Sequence, residues 1–407
     1  MNHFDPANEI QDLQYFGEFG GVNPSISDSS TYTFLSAKTM LDTFEGNTDG
    51  CYLYSRHTSP TNLYLSQALA KMENTESANV TASGMGAITS VLMQICKSDD
   101  HIISSRTIYG GTYAFLKNFL PSFKIDTTFV DINNFDWIEK SIQPNTKVIY
   151  CETVSNPLLE VADLRKLSEI CKKHNLKLIV DNTFSPMSIS PTLLGADVVI
   201  HSLTKFINGS SDTVGGVYCA TKEFVDASKS VNDGACMLLG PTMDSFRSSS
   251  VLKNLRTLHI RMKQHSYNAM YLAERFENDG LKVSYPGLPS HPNHEIMKGM
   301  MNAEYGYGGL ITVDAGTTEK ANELMELMQQ ENLGYLAVSL GFYKTLFSCS
   351  GSSTSSEIPE EERIAMGISD GLIRFSIGLD QDIERTYQKM KECMLKTGVL
   401  NHETMYI

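Results

Sequence analysis

Up to about residue 247, short β-branched runs alternate with longer amphipathic segments. The apolar runs at 101–105, 147–152 and 177–183 predict buried strands, and the pattern at 163–174 predicts a helix between two of them. Strands that alternate with helices are typical of a mostly parallel sheet. We therefore predict an α/β domain over residues 56–247.

The pattern changes after residue 247. It predicts a long amphipathic helix at 248–278, strands at 281–285, 309–314 and 372–379, a serine-rich loop at 348–356, and helices at 318–329 and 382–396. Antiparallel strands with helices on one side fit a smaller α+β domain over residues 248–407. Residues 1–55 are irregular apart from a helix at 36–43. We expect them to form an arm that lies on another surface, such as a second subunit.

The run that begins at Asp197 carries the most informative chemistry. A predicted strand delivers Ser202, Thr204 and Lys205 into a loop rich in glycine and serine. The carboxyl ends of strands are where α/β sheets bind ligands. A lysine held there can act as a Schiff-base nucleophile while the hydroxyls bind a phosphate. This combination suggests pyridoxal phosphate, although an isolated lysine is usually a surface residue.

Asp181 ends the preceding predicted strand and could share one crevice with Lys205. An aspartate there could pair with a protonated pyridine nitrogen and strengthen its pull on electrons. The alternative is a carboxylate that caps a helix or a turn, and this is commoner for any single aspartate.

Three further features could bind anions. Gly84 and Gly86 open a predicted helix after a strand, which favours a phosphate cradle, although a tight turn without a ligand fits equally well. Tyr54 and Arg56 precede another helix and carry groups suited to an anion, or they pack there without a ligand. Arg374 alternates with apolar neighbours in its strand, so it needs an internal carboxylate or a substrate anion.

Composition restricts the partners. The 407 residues include 33 basic and 47 acidic side chains, a net charge of −14, which argues against a nucleic-acid partner but not against small anions. We see no apolar run long enough to cross a membrane and no secretory signal. The eight cysteines form no C-x-x-C pair, so we expect reduced thiols, a cytoplasmic location and no metal site.

Taken together, eight ordered segments between about residues 52 and 396 resemble the Cys/Met-metabolism family of pyridoxal-phosphate enzymes. This family includes cystathionine γ-synthases and γ-lyases, methionine γ-lyases and O-acylhomoserine sulfhydrylases. The segments are Y-S-R-x-x-x-P-T, S-G-M-G-A-I, Y-G-G-T, E-x-x-x-N-P, V-D-N-T, H-S-x-T-K, A-V-S-L-G and G-L-I-R-x-S-x-G-L. The resemblance implies a fold-type-I transferase with a mostly parallel, seven-stranded sheet and a smaller C-terminal α+β domain. It also implies a homotetramer built from two tight dimers.

The resemblance also implies a role for individual residues. Lys205 would form the Schiff base with the cofactor, Asp181 would pair with its pyridinium, and Tyr109 would stack on the ring and exchange protons with the leaving group. The phosphate would be bound by Gly84, Met85, Ser202 and Thr204, and also by Tyr54 and Arg56 from a neighbouring subunit. Asn156 would contact the ring hydroxyl. Arg374, with the Ser339 region, would bind the substrate carboxylate.

Two positions favour methionine as the substrate. Members that handle cystathionine typically carry acidic residues where this chain has Leu53 and Val338, and apolar side chains suit a thioether methyl better than a distal ammonium. Gly111 indicates otherwise, because methionine γ-lyases usually carry a reactive cysteine there. We weigh the two apolar positions more heavily and expect α,γ-elimination to a thiol, 2-oxobutanoate and ammonia.

Two alternatives remain. One is an O-acylhomoserine sulfhydrylase, or a cystathionine γ-synthase or γ-lyase, with the same cofactor site. The other is a non-catalytic α/β module that binds a nucleotide through Gly84 and Gly86.

Overall fold

The computed structural model describes residues 4–349, 361 and 368–401, so the predicted serine-rich loop lies outside the described residues from position 350 onward. The helices are α1 (Pro6–Gln11), α2 (Ala37–Phe44), α3 (Pro60–Met72), α4 (Gly84–Ile95), α5 (Gly110–Ala114), α6 (Phe135–Ser141), α7 (Leu164–His174), α8 (Lys222–Ser228), α9 (Ala235–Leu239), α10 (Ser245–Leu255), α11 (Leu258–Asn278), α12 (His294–Met300), α13 (Thr318–Gln330) and α14 (Ile383–Lys396). The strands are β1 (Ser77–Thr81), β2 (His101–Ser105), β3 (Asp126–Val130), β4 (Thr146–Glu152), β5 (Lys177–Asp181), β6 (Val198–Ser202), β7 (Gly216–Ala220), β8 (Val283–Ser284), β9 (Leu310–Asp314), β10 (Tyr335–Leu336), β11 (Leu346–Cys349) and β12 (Leu372–Ser376).

The larger sheet has seven strands in the order β1-β7-β6-β5-β4-β2-β3. Strands β2 to β6 run parallel, and β7 runs antiparallel to both of its neighbours. This arrangement confirms the predicted mostly parallel, seven-stranded sheet. It also places the carboxyl ends of β4, β5 and β6 side by side at one edge.

Helices cover both faces of this sheet. Successive side chains of a strand point to opposite faces. Leu178 and Val180 of β5 therefore pack in one buried cluster with Leu65 of α3, whereas Ile179 packs in a second cluster with Val91 of α4. Burial on both faces explains why these strands appear in the sequence as continuous apolar runs.

The single helix predicted at 248–278 was wrong, because the structure has two helices there, α10 and α11. The Oγ1 of Thr257 donates to the carbonyl of Asn254 at 3.1 Å, and the guanidinium of Arg261 donates to the same carbonyl at 3.0 Å. These side chains satisfy a carbonyl at the end of α10, so the helix can stop without losing hydrogen bonds.

Core packing of the large domain continues past the predicted boundary at 247. Val251 and Leu255 of α10 and Met262 of α11 belong to the same buried cluster as Leu178 and Val180 of β5. Further along α11, Leu272 and Phe276 pack in the core of the C-terminal part. Helix α11 therefore contributes to both cores and joins the two parts of the chain.

The smaller sheet has the order β10-β11-β12-β9-β8, with only the β10–β11 pair parallel. Ile373 and Phe375 of β12 pack in the core formed with α13 and α14. Arg374 lies between them in the strand, so its side chain points to the opposite face, toward the large domain.

The helix predicted at 36–43 in the arm is present as α2, and the arm also contains α1, which was not predicted. Phe16, Phe19, Val22 and Leu35 are almost fully exposed along the arm. None of the helices in the described part of the chain is both long and apolar enough to cross a membrane.

Candidate active site

The carboxyl ends of β4, β5 and β6, the beginning of α4 and the inner face of the C-terminal part enclose a cavity of about 240 Å³. Most of the residues predicted from the sequence line it: Gly84, Met85, Tyr109, Asn156, Asp181, Ser202, Thr204, Lys205, Val338 and Arg374. The remaining lining residues are Ser83, Ile88, Glu152, Val154, Thr183, Phe184, Val214 and Leu340.

Lys205 lies just past the end of β6, with its amine inside the cavity. Its Nζ donates to the Oγ of Ser339 at 3.2 Å, which brings the predicted Ser339 to the site. Burial, followed by the nearby charge of Arg374, lowers the pKa of this amine to about 8. A substantial neutral fraction near physiological pH makes the lysine a competent nucleophile and base.

Asp181 ends β5, the strand next to β6. Its Oδ1 accepts hydrogen bonds from the backbone N–H of Thr183 at 3.0 Å and from the hydroxyl of the same residue at 2.5 Å. Burial raises the pKa of this carboxyl. A buried carboxyl that faces a cavity favours a cationic partner, such as a protonated ring nitrogen.

The first turn of α4 approaches the end of β6 very closely. A Cβ on Gly84 would lie 2.9 Å from the Cβ of Ser202, so only glycine fits this contact. Ser83 caps the helix by accepting from the N–H of Gly86 at 3.0 Å. Free backbone N–H groups beside the hydroxyls of Ser202 and Thr204 form a surface suited to a phosphate.

Arg374 is only 3% exposed. Its NH1 donates to the Oδ1 of Asn156 at 3.0 Å, and its NH2 donates to the carbonyl of Ser339 at 3.3 Å. Both partners are neutral, and within the described residues its Nε has no hydrogen-bond partner. A buried guanidinium of this kind is suited to a carboxylate from a substrate.

Glu152 was part of a quoted motif, but the sequence interpretation gave it no role. It ends β4, and its carboxylate accepts from the backbone N–H of Tyr109 at 2.7 Å and of Asn156 at 3.0 Å. Burial and the neighbouring Asp181 raise the pKa of Glu152 to about 8. The sequence could have indicated this residue, because Glu152 ends one predicted buried strand and Asp181 ends the next.

Gly111, the position that argued against methionine as the substrate, is not among the residues that line the cavity. It lies beneath the ring of Tyr109, where an added Cβ would be 2.6 Å from Cε1 of that ring. The position therefore acts on the placement of Tyr109, whose side chain is 47% exposed.

Three predicted residues lie away from the cavity of their own chain. Leu53 is absent from its lining, Tyr54 pairs with Thr31 in an isolated bridge, and Arg56 donates to the carbonyl of Met237 at 2.8 Å. This agrees with the expectation that Tyr54 and Arg56 act on a neighbouring subunit, which stays a prediction. In the described part of the chain, no cluster of histidine, cysteine and acidic residues could hold a metal ion.

Comparisons with known proteins place this cavity in context. The family model for Cys/Met metabolism PLP-dependent enzymes matches residues 9–392. A methionine gamma-lyase from Arabidopsis thaliana is 44% identical over 96% of this chain and 90% of its own length. A cystathionine gamma-lyase from Bacillus subtilis is 39% identical over 81% of this chain and 85% of its own length.

A solved structure extends the likeness to the fold. A putative O-acetylhomoserine (thiol)-lyase from Campylobacter jejuni, which contains N'-pyridoxyl-lysine-5'-monophosphate, superposes with a TM-score of 0.87. It is 28% identical and covers 96% of this chain and 100% of its own. The predicted fold-type-I architecture is thereby confirmed, and these matches favour an enzyme over a non-catalytic binding module.

Proposed function

This chain belongs to the Cys/Met metabolism family of PLP-dependent enzymes, and we propose that it is a carbon–sulfur lyase that cleaves L-methionine or a short homologue. The reaction is α,γ-elimination, and its products are a thiol, 2-oxobutanoate and ammonia.

The residues of the cavity fit pyridoxal phosphate. Because Gly84 has no side chain, the start of α4 lies close to Ser202. The start of α4, Ser202 and Thr204 all line the cavity and can contact the phosphate there. Lys205 is a desolvated amine suited to a covalent bond with the cofactor, and Asp181 is a buried carboxyl suited to its ring nitrogen. When bound, the cofactor supplies the electron sink that makes the α-hydrogen of the substrate acidic.

The protein itself binds the substrate and moves protons. Arg374 holds the substrate carboxylate and thereby points the α-carbon toward Lys205. With its lowered pKa, Nζ of Lys205 takes the α-proton, and once it has released that proton it removes a second one from the β-carbon. The phenol of Tyr109 donates a proton to the departing sulfur. Apolar side chains, including Val338 and Leu340, line the site, and a water molecule completes the release of 2-oxobutanoate and ammonia.

The apolar cavity wall is the observation on which the methionine proposal depends. Val214, Val338 and Leu340 line the cavity, and Glu152 and Asp181 are the acidic side chains among its described lining residues. Both carboxyls lie at buried strand ends and have other partners. A distal ammonium would therefore find no free carboxylate there, whereas a thioether methyl fits apolar surface.

The test uses purified protein saturated with pyridoxal phosphate. We expect L-methionine alone to yield 2-oxobutanoate and methanethiol, with L-cystathionine as a poorer substrate. O-Acetylhomoserine with sulfide is assayed in parallel. Homocysteine from that mixture, with methionine inert, would reject the lyase in favour of a sulfhydrylase.

One observation favours the sulfhydrylase as a second candidate. An added Cβ at Gly111 would overlap the ring of Tyr109, so the cysteine that methionine γ-lyases usually carry there requires this ring to shift. Gly111→Cys decides whether this matters. If the chain is a lyase that works without the thiol, the substitution displaces Tyr109 and lowers methionine cleavage.

We further propose a homotetramer built from two tight dimers, with Leu53, Tyr54 and Arg56 completing the site of a neighbouring subunit. The exposed apolar arm residues, and the absence of these three residues from the lining of their own chain's cavity, support this. Light scattering measures the assembly size. Mixed assemblies of Arg56→Ala and Lys205→Ala chains, each inactive alone, should regain activity if sites are shared between subunits.

We also propose a cytoplasmic location for the enzyme. All eight cysteines are free, and all of them except Cys51 are buried, which fits a reducing compartment. Fractionation of cells and immunodetection of the enzyme test the location, and recovery outside the cytoplasmic fraction would contradict it.

A further inference from the structure

Glu152 connects two separate segments at the mouth of the cavity. It is 7% exposed at the end of β4. Its Oε1 accepts the backbone N–H of Tyr109 at 2.7 Å, and its Oε2 accepts the backbone N–H of Asn156 at 3.0 Å. One rigid carboxylate therefore fixes the distance between two segments that both line the cavity.

Within the described residues, these two backbone N–H groups have no other hydrogen-bond acceptor. Tyr109 precedes α5, and its side chain makes no hydrogen bond that caps this helix. Asn156 accepts from the guanidinium of Arg374 at 3.0 Å through its side chain, so its backbone position also sets the orientation of the arginine. Glu152 thus holds the backbone of Tyr109 directly, and it acts on Arg374 through Asn156.

The chemistry of the contact requires a carboxylate. Each oxygen faces an N–H donor, and a carboxylate offers acceptors on both sides. An amide of the same shape offers one acceptor and one donor, so it would place a donor against a donor. A shorter aspartate would keep the acceptors but would not reach both N–H groups from the same strand end.

The surroundings make this carboxylate unfavourable unless it is bonded. Glu152 and Asp181 are direct neighbours in the register of β4 and β5, and both are buried. Two ionised carboxyls in such a position repel each other. The two backbone N–H groups offset part of this repulsion, and a cationic ring nitrogen beside Asp181 would offset more.

We propose that Glu152 is a positioning residue that holds Tyr109 and Asn156 in place for the cofactor and the substrate. The proposal rests on the proposed function only in that the cofactor is pyridoxal phosphate, and it requires no particular sulfur substrate.

The test compares Glu152→Gln, Glu152→Asp and Glu152→Ala with the wild type. The dissociation constant of pyridoxal phosphate is measured by titration of the apoenzyme, followed by visible circular dichroism of the bound cofactor. We expect Glu152→Gln to weaken cofactor binding about tenfold and to reduce the dichroic band, because one acceptor is lost and a donor faces a donor. Glu152→Asp should recover part of both signals.

Glu160→Gln is the matched control. Glu160 accepts from the hydroxyl of Thr107 at 2.6 Å, on the segment that leads to Tyr109, but it does not line the cavity. We expect this variant to keep the wild-type dissociation constant and dichroic band. Kinetics add a second readout, in which Glu152→Gln lowers kcat and raises KM, since both Tyr109 and Arg374 shift.

Two results would overturn the proposal. One is a wild-type dissociation constant and dichroic band for Glu152→Gln. The other is an equal loss in Glu160→Gln, which would mean that any weakening of this segment has the same effect. If Glu152→Ala fails to fold, the isosteric Glu152→Gln decides the outcome. Failure of the wild type to cleave methionine would contradict the proposed substrate but would leave the cofactor titrations interpretable.

Discussion

Lys205 derives its reactivity from its surroundings. An exposed lysine is almost fully protonated at neutral pH, but burial and the charge of Arg374 lower the pKa of this one to about 8. Burial of this amine in its charged form destabilises the folded protein relative to the unfolded chain. The unfolded chain keeps an ordinary lysine, so between about pH 8 and about pH 10.5 the unfolded state binds more protons than the native state.

The first prediction concerns Lys205→Met. It should abolish turnover and at the same time stabilise the apoenzyme at pH 7, by up to about 3 kcal/mol, because the buried charge is removed. Since the wild type loses its penalty as pH rises through the native pKa, the difference should shrink toward pH 10. Denaturant unfolding of the apoenzymes at several pH values measures it.

The exposed Lys38→Met serves as the control and should show no such pH-dependent difference. A Lys205→Met variant that is no more stable than the wild type at pH 7 would mean that the amine is solvated in the apoenzyme.

Among the secondary-structure elements, the junction of α4 and β6 is the most constrained. Four features meet there: the cap by Ser83, the glycine at the first position of α4, the end of β6 and the loop that carries Lys205. The backbone of the helix can approach Ser202 because Gly84 has no side chain. This contact brings the first residues of α4, Gly84 and Met85, beside Ser202 and Thr204 in the lining of the cavity.

The second prediction is that Gly84→Ala lowers the affinity for pyridoxal phosphate at least tenfold and destabilises the fold by about 1–3 kcal/mol, since the new methyl group overlaps Ser202. Cofactor titration and thermal unfolding check it. The control is Gly299→Ala inside α12, where the nearest atom outside its own helix is the NH1 of Arg165 at 3.6 Å. That variant should bind cofactor normally and should lose no stability.

In the molecule as a whole, the site exists only because two parts of the chain meet. The large sheet supplies Lys205, Asp181 and Asn156, and the small sheet supplies Arg374. The hydrogen bonds from Arg374 to Asn156 and Ser339 cross this junction. Helix α11, which packs in both cores, keeps the two parts in a fixed relation.

The third prediction follows because the two parts of the chain contribute different residues to the site. Arg374→Gln should raise KM for the substrate about a hundredfold, because a charged, buried hydrogen-bonding partner of the carboxylate is lost. The dissociation constant of pyridoxal phosphate should change little, since most of the predicted cofactor contacts lie in the large domain. Steady-state kinetics and cofactor titration separate the two effects, and an equal loss in both would contradict the assignment.

The sequence by itself determined the larger sheet, the cofactor and most of the lining of the cavity. Strands buried on both faces produce continuous apolar runs, and the predicted ligand-binding residues Asp181 and Lys205 lie at or shortly after the ends of two of them. These signals are local, because a strand and the residue at its end are neighbours in the chain. The resemblance then added roles for Tyr109, Asn156 and Arg374.

Only the tertiary structure decided the contacts that depend on distance in space. The break between α10 and α11 depends on the side chain of Arg261, which reaches back to Asn254, and periodicity does not register such a bond. The close approach at Gly84, the place of Gly111 beneath Tyr109, and the two bonds of Glu152 each join atoms from separate segments. Such contacts follow from how the elements pack, and a pattern along the chain carries no information on that packing.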